Sequence, residues 1–253
     1  MRRPLIAGNW KMYKTVAEAV ALVRALRESL TDRPADCDVL VAPPFTALHS
    51  VALALKGSAI HLGAQNMYFE KEGAFTGEVS PGMLKDAGCT HVILGHSERR
   101  QHFGETDDGV GRKARAAWDN GLLPILCVGE TQAERDSDKT RAVVERQVER
   151  ALRQLSPDEA AKSVIAYEPV WAVGTGRVAT PEQAEEVHAA IRKLVRVSHG
   201  DAVAAAVRIL YGGSVKPDNA KALIENDDID GALVGGACLQ ADSFLKIVRA
   251  ARG

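Results

Sequence analysis

The sequence has little of three features that mark particular classes of protein: paired cysteines, long apolar runs and an excess of one charge. Its four cysteines, Cys37, Cys89, Cys127 and Cys238, are far apart and form no C-x-x-C pair. Free thiols in a reducing cytoplasm are therefore expected, and a zinc site is not. The 32 Lys and Arg residues against 33 Asp and Glu residues give a net charge of −1, without the basic excess typical of a nucleic-acid binder. No apolar run approaches the roughly 20 residues that cross a bilayer.

What the sequence does contain is a repeated alternation of short apolar runs and helical segments. The runs are nearly continuous in apolar residues, which is typical of strands covered on both faces of a parallel sheet. Eight of them are predicted to be strands: Leu5–Gly8, Val39–Ala42, Ile60–Ala64, His91–Leu94, Leu122–Val128, Val164–Ala166, Val207–Leu210 and Ala232–Val234.

The segments between the runs carry signals for the start of a helix. Thr15 with Glu18, and Thr131 with Glu134, predict capping boxes, as does the stretch Thr180-Pro181-Glu182-Gln183. Strand and helix alternating in this way predict an α/β fold. An eight-stranded closed barrel uses all eight strands without leaving an edge, and an open doubly wound sheet is the alternative. Because no linker rich in Pro, Gly or Ser divides the chain, residues 1–253 are expected to form a single (β/α)8 barrel domain.

Several polar residues follow the predicted strands, where a parallel barrel carries its chemistry. Asn9 and Lys11 follow the first strand, His96 follows the fourth and Glu168 follows the sixth. Each one alone has an ordinary explanation, such as a solvated lysine, a polar strand end or a surface carboxylate. Together on one rim they would supply a cation, a neutral hydrogen-bond donor and a base.

Glycine-rich turns follow the last two predicted strands, as Gly212-Gly213-Ser214 and Gly235-Gly236. Without Cβ atoms, backbone N–H groups approach an anion closely, and the loops after strands seven and eight of a barrel often bind phosphate. A competing motif, Gly174-x-Gly176-x-x-Ala179, matches the dinucleotide-binding fingerprint. That fingerprint must close a strand and open a helix, whereas these glycines lie between Pro169 and Thr180. The phosphate interpretation is therefore favoured.

Six segments carry a resemblance to a known family: Ala7–Met12, Gly73–Glu78, Leu94–Arg100, Ala166–Gly176, Tyr211–Val215 and Val234–Ala237. In order and spacing, and over essentially the whole chain, the sequence resembles the triosephosphate isomerase family. The resemblance implies a TIM barrel that interconverts dihydroxyacetone phosphate and D-glyceraldehyde 3-phosphate through an enediolate, in glycolysis and gluconeogenesis. It also implies that the reaction needs no cofactor and no metal.

The resemblance implies a role for each matching residue. Glu168 is expected to remove a proton from the carbon beside the carbonyl, and His96 to polarise that carbonyl as a neutral imidazole, which are the assignments known for this family. Lys11 is expected to supply positive charge to the substrate, with Asn9 as a further donor and Glu98 as an acid near Lys11 and His96. The phosphate is expected to rest on backbone N–H groups of Gly174, Ser214, Gly235 and Gly236.

Two expectations concern how the site works. A dry site should raise the pKa of Glu168 toward neutrality, and a helix that begins after Ser97 should lower the pKa of His96. The apolar stretch between Pro169 and Gly176 is expected to be a lid that excludes water, with an ordinary surface loop as the alternative.

Four bulky apolar residues fall in the segment Gln65–Ser80, outside any predicted strand: Met67, Tyr68, Phe69 and Phe75. Exposed apolar loops often mark an interface. The resemblance implies a homodimer in which Thr76 reaches toward Asn9 and Lys11 of the partner subunit. A small triose phosphate is the other expected partner, and neither nucleic acid nor a membrane is expected.

Two other functions stay open on the sequence. One is a different barrel enzyme acting on a small sugar phosphate, such as an aldolase, which commonly needs a Schiff-base lysine or a metal. The other is a catalytically silent phosphate-binding scaffold, which would tolerate loss of the base.

Overall fold

A computed structural model shows eight parallel strands that close into a barrel, and it describes residues 2–32, 35–172 and 179–251. Their order around the barrel is their order in the chain, and β1 pairs with both β2 and β8. The strands are β1 (Leu5–Asn9), β2 (Asp38–Ala42), β3 (Ile60–Ala64), β4 (His91–Leu94), β5 (Leu123–Val128), β6 (Val164–Tyr167), β7 (Arg208–Tyr211) and β8 (Gly231–Val234). Each lies within one residue of its predicted bounds. The closed barrel is thus confirmed, and the open doubly wound sheet is wrong.

Helices surround the barrel and connect its strands. They are α1 (Val16–Asp32), α2 (Leu48–Leu55), α3 (Pro81–Asp86), α4 (Ser97–Phe103), α5 (Asp107–Asp119), α6 (Gln132–Asp136), α7 (Thr140–Leu152), α8 (Pro157–Lys162), α9 (Pro181–His199), α10 (Asp201–Ala206), α11 (Ala220–Ile224) and α12 (Ala241–Ala250). Short 3₁₀ turns span Phe45–Ala47, Val170–Ala172 and Gly236–Leu239. Among the described residues, no helix combines the length and the apolar character that a membrane crossing requires.

The predicted helix starts are present because their side chains satisfy backbone N–H groups that the first helical turn leaves unpaired. Complete capping boxes stand at Thr131 with Glu134 and at Thr180 with Gln183. At the start of α1, the N–H of Thr15 donates to the Glu18 carboxylate at 2.7 Å. These local contacts fix where the helices after β5 and β6 begin.

The core has two layers, one inside the barrel and one between the barrel and its helices. Eleven side chains fill the interior: Leu5, Ala7, Leu40, Ala42, Ile93, Ile125, Cys127, Val164, Ala166, Leu210 and Leu233. Neighbouring strand residues, such as Ile6 and Val41, point outward and pack in the helix layer. Since both faces of each strand are covered, no alternation of apolar and polar residues is needed. Burying one such Val, Leu or Ile side chain contributes about 1.5–3 kcal/mol.

The four cysteines are buried and unpaired in this core, as expected for free thiols.

The segment between β3 and α3 differs from its prediction at one residue. Met67 is fully buried in the helix layer, so the expectation that it is exposed is wrong. Tyr68 instead stacks on Phe69 with ring centroids 4.2 Å apart and contacts Phe75 at 4.6 Å. The guanidinium of Arg112 lies 3.5 Å from the centre of the Phe69 ring. This aromatic cluster leaves Phe75 40% exposed.

Candidate active site

The carboxyl ends of the strands bring the predicted site residues to one rim of the barrel. Nζ of Lys11, after β1, lies 2.5 Å from Oε1 of Glu98. The other carboxylate oxygen of Glu98 lies 3.7 Å from Nδ1 of His96. Nε2 of His96 lies 2.8 Å from Oε1 of Glu168, after β6. Four residues from three distant parts of the chain therefore lie side by side, with direct contacts from Lys11 to Glu98 and from His96 to Glu168.

The position of His96 fixes which of its ring nitrogens carries the proton. His96 is the residue before α4, and Nδ1 accepts the backbone N–H of Glu98 at 3.2 Å. A nitrogen that accepts this bond is unprotonated, so in the neutral ring the proton is on Nε2. Nε2–H then donates to Glu168, as a neutral imidazole donor would.

Glu168 is held by its backbone and by both of its carboxylate oxygens. Its N–H donates to the carbonyl of Val128 at 2.7 Å, and the N–H of Ser97 donates to Oε2 at 2.9 Å. With His96 on the other oxygen, the carboxylate is 2% exposed. The candidate base is thus dry and oriented.

The pKa values of this pair follow from their contact. Burial acts to raise the pKa of Glu168, but the charge and hydrogen bond of His96 and the N–H of Ser97 outweigh it and lower the pKa. Burial acts to lower the pKa of His96, whereas the charge and hydrogen bond of Glu168 raise it. The charge of Glu98 raises it further, and the charge of Lys11 acts in the opposite direction. The two pKa values therefore move in the directions opposite to those expected from the sequence.

Two glycines allow Glu168 its position. A Cβ atom on Gly129, after β5, would lie 1.8 Å from the carbonyl oxygen of Glu168. A Cβ atom on Gly212 would lie 2.7 Å from Cγ of the same residue. Sequence reasoning assigned Gly212 to a phosphate-binding turn and missed Gly129. The only sign of Gly129 in the sequence was its position directly after the fifth predicted strand.

Lys11 has a left-handed backbone conformation, with φ of 51°, that residues other than glycine rarely adopt. Two neighbours stabilise it. The side-chain oxygen of Asn9 accepts the N–H of Lys11 at 3.0 Å, and Nε2 of Gln65 donates to the Lys11 carbonyl at 2.8 Å. Asn9 thus supports Lys11 in this structure, and Gln65 is a supporting residue that sequence reasoning missed.

The predicted phosphate-binding residues follow two neighbouring strands. Ser214 is half-buried after β7. Gly235 lies beside Lys11, since a Cβ atom there would be 3.3 Å from Cε of that lysine. Gly236 is exposed, and a Cβ atom on it would meet nothing within 4 Å. Gly174 lies outside the described residues, and so does the part of the predicted lid from residue 173 to Gly176. Phosphate binding here stays a prediction.

Thr76 is exposed in the segment between β3 and α3. Its contact with the partner subunit's Asn9 and Lys11 stays a prediction.

Comparison with known proteins gives one consistent result. The family model for triosephosphate isomerase matches residues 4–251. A triosephosphate isomerase of Pelobacter propionicus is 59% identical over 248 residues, which cover 98% of each chain. Those of Chloroflexus aurantiacus and Carboxydothermus hydrogenoformans are 58% and 59% identical, over 98% of this chain and 99% of theirs.

Proposed function

The chain belongs to the triosephosphate isomerase family, and from that premise we propose that it interconverts dihydroxyacetone phosphate and D-glyceraldehyde 3-phosphate with Glu168 as the base. One observation carries the assignment of the base. The carboxylate of Glu168 is buried and faces Nε2 of His96 at 2.8 Å, which puts a proton acceptor and a neutral donor side by side. Aldose–ketose isomerisation needs this pair, since a carbon-bound proton leaves as the carbonyl oxygen gains a hydrogen bond.

His96 and Lys11 stabilise the charge that develops on the substrate oxygens. Nε2–H of His96 donates to the carbonyl oxygen of the substrate. The same ring then transfers protons between the carbonyl and hydroxyl oxygens of the substrate, for which it must stay neutral. Lys11 supplies a fixed positive charge, and its own orientation depends on Asn9 and Glu98. Donors fixed before the reaction are often the largest contribution to catalysis.

The phosphate of the substrate occupies the glycine-rich turns after β7 and β8. Backbone N–H groups of Gly174, Ser214, Gly235 and Gly236 are the proposed donors. Gly235 lies beside Lys11, so a phosphate held there leaves the rest of a three-carbon substrate within reach of the rim. Binding energy from the phosphate then orients the reacting carbons.

The test is an isomerase assay on D-glyceraldehyde 3-phosphate with the Glu168→Asp variant. Shortening the side chain by one methylene displaces the carboxylate by about 1 Å, for which a loss of about 10²-fold in kcat is expected. Glu149→Asp, an exposed residue of α7, is the matched control and should keep full activity.

Full activity of Glu168→Asp would contradict the assignment of the base. A folded wild-type chain without isomerase activity would contradict the proposed function and favour a silent scaffold. Trapping by borohydride, or loss of activity with a chelator, would favour another barrel enzyme.

We infer that the functional unit is a homodimer of single-domain chains in the cytoplasm. Met12 is 93% exposed and Tyr13 57% exposed, directly after Lys11, and Phe75 is 40% exposed. Exposed apolar patches often mark protein–protein interfaces, and in the proposed dimer Thr76 reaches into the partner's site. A monomeric sedimentation profile with full activity would contradict the dimer.

A further inference from the structure

We propose that Arg135 is a positioning residue for the isomerase reaction, because it neutralises the buried carboxylate of Glu130, which holds the chain on both sides of Glu168. The inference rests on the proposed function. It concerns residues that touch neither the reacting carbons nor the phosphate in that proposal.

Glu130 contacts the residues that flank the base. The hydroxyl of Tyr167, the residue before Glu168, donates to the Glu130 carboxylate, at 3.1 and 3.2 Å from its two oxygens. On the other side, Nε1 of Trp171 donates to Oε1 of Glu130 at 2.9 Å, and the N–H of Val170 donates to its carbonyl at 3.1 Å. Glu130 therefore fixes the direction in which β6 ends and the turn after Glu168 begins.

The carboxylate of Glu130 is fully buried, and a buried charge is costly unless it is paired. The hydroxyl of Tyr167 and the indole of Trp171 are neutral donors and supply no opposite charge. Nη1 of Arg135 lies 3.2 Å from Oε1 of Glu130. Over residues 2–32, 35–172 and 179–251, Arg135 is the only cation within ion-pair distance of this carboxylate.

Arg135 also packs on the residue that Glu130 binds. Its guanidinium carbon lies 4.5 Å from the centre of the Trp171 ring, a cation–π geometry. The capping box at Thr131 and Glu134 fixes the start of α6 and so places Arg135. One planar group thus bridges the carboxylate and the indole, which a lysine would do less well because its charge is compact.

Removing the guanidinium leaves Glu130 buried without a counter-ion. The carboxylate then moves toward water, away from the Tyr167 hydroxyl and the Trp171 indole. Glu168 is displaced, while Lys11 and the glycine turns keep their positions. We therefore expect kcat to fall and KM to stay nearly constant.

The experiment uses the whole chain with Arg135→Met and Arg135→Lys, each alone and combined with Glu130→Gln. If the base is misplaced, Arg135→Met lowers kcat by about 10-fold at unchanged KM. Arg135→Lys restores only part of that loss, because it returns the charge without the planar group that packs on Trp171. In the Glu130→Gln background Arg135→Met should have no further effect, because an amide has no charge to neutralise. Arg141→Met is the matched control, because Arg141 and Arg135 both line a groove between α7 and α9.

A second measurement is independent of activity. The chain has three tryptophans, so labelling with 5-fluorotryptophan gives three ¹⁹F resonances, and Trp171→Phe identifies one. That resonance should shift in Arg135→Met without substrate and stay in place in Arg141→Met.

Any of three results would overturn the role of Arg135. The first is a wild-type kcat in Arg135→Met, and the second is an equal loss of kcat when Arg135→Met is added to Glu130→Gln. The third is an unshifted Trp171 resonance in Arg135→Met. Absence of activity in the wild-type chain would overturn the proposed function instead, so the two failures are distinguishable.

Discussion

Gly212 and Glu168 approach each other so closely that a Cβ atom on the glycine would lie 2.7 Å from Cγ of the glutamate. The turn after β7 is therefore shaped by the base as well as by the proposed phosphate. The same Cβ atom would lie 3.2 Å from the carbonyl of Tyr167. The Tyr167 backbone on one side and the Glu168 side chain on the other therefore leave no room for a methyl group at position 212.

Gly212→Ala should therefore lower kcat by displacing the carboxylate of Glu168. A shift of about 1 Å corresponds to a loss of about 10²-fold, and steady-state kinetics measure it directly. Gly82→Ala is the control, because its Cβ atom would meet only Oγ of Ser80 at 3.9 Å. Equal kcat values for the two variants would show that Gly212 leaves the base in place.

Arg192→Met should destabilise the fold, because it removes a buried guanidinium with several acceptors. Arg192 donates to the carbonyls of Ala204 and Val207 at 2.7 and 3.0 Å and pairs with Asp230 at 2.7 Å and with Asp228. Its loss removes one of the two cations that pair with the buried carboxylate of Asp230, the other being Arg2, and it leaves two carbonyls without their donor. Breaking a buried pair costs about 3–5 kcal/mol, and the lower part of that range is expected here because Arg2 stays. Denaturant unfolding at one fixed protein concentration measures this cost.

The control lies on the same helix, α9. Arg196 pairs with Asp201 at 3.0 Å, but the two side chains are 54% and 90% exposed. Arg196→Met should cost less than about 1 kcal/mol, since solvent screens such a pair. If Arg192→Met and Arg196→Met lower the free energy of unfolding by similar amounts, the buried contacts of Arg192 do not stabilise the fold as proposed.

His188 should make the fold sensitive to acid. It is fully buried between Tyr167 and Tyr211, and burial lowers its pKa from 6.5 to about 4. As the pH falls below 6.5, the unfolded chain binds a proton at this position before the folded chain does. Stability present above pH 6.5 is thus lost between pH 6.5 and about pH 4, by about 3 kcal/mol from this residue.

Unfolding free energies of the wild type and His188→Gln, measured across that range, test the effect. The wild-type curve should fall more steeply, and the difference should level off below pH 4. Parallel curves would mean that His188 does not titrate on unfolding.

Local features of the sequence predicted where the elements lie. The eight strands were located within one residue because apolar runs covered on both faces are distinctive. The capping boxes at Thr131 and Thr180 depend on contacts within four residues, which a sequence displays directly.

Contacts between distant residues were not predictable in this way. Nothing near Glu130 in the chain indicates that Tyr167 and Trp171 donate to its carboxylate. Likewise, nothing near Gln65 indicates that it supports Lys11. The lowered pKa of Glu168 has the same origin, because it depends on His96 and on the N–H of Ser97. Burial alone, which a sequence does suggest, acts in the opposite direction.

The succession of strands and helices could thus be read from the sequence, and so, through the family segments, could the residue types at the rim. Apolar periodicity and helix capping are local, so they are encoded where they act. Three features follow only from the three-dimensional arrangement. They are which ring nitrogen of His96 carries the proton, the burial of Met67, and the space that the missing side chain of Gly212 leaves for Glu168. Each of these depends on distances between parts of the chain that only the closed barrel brings together.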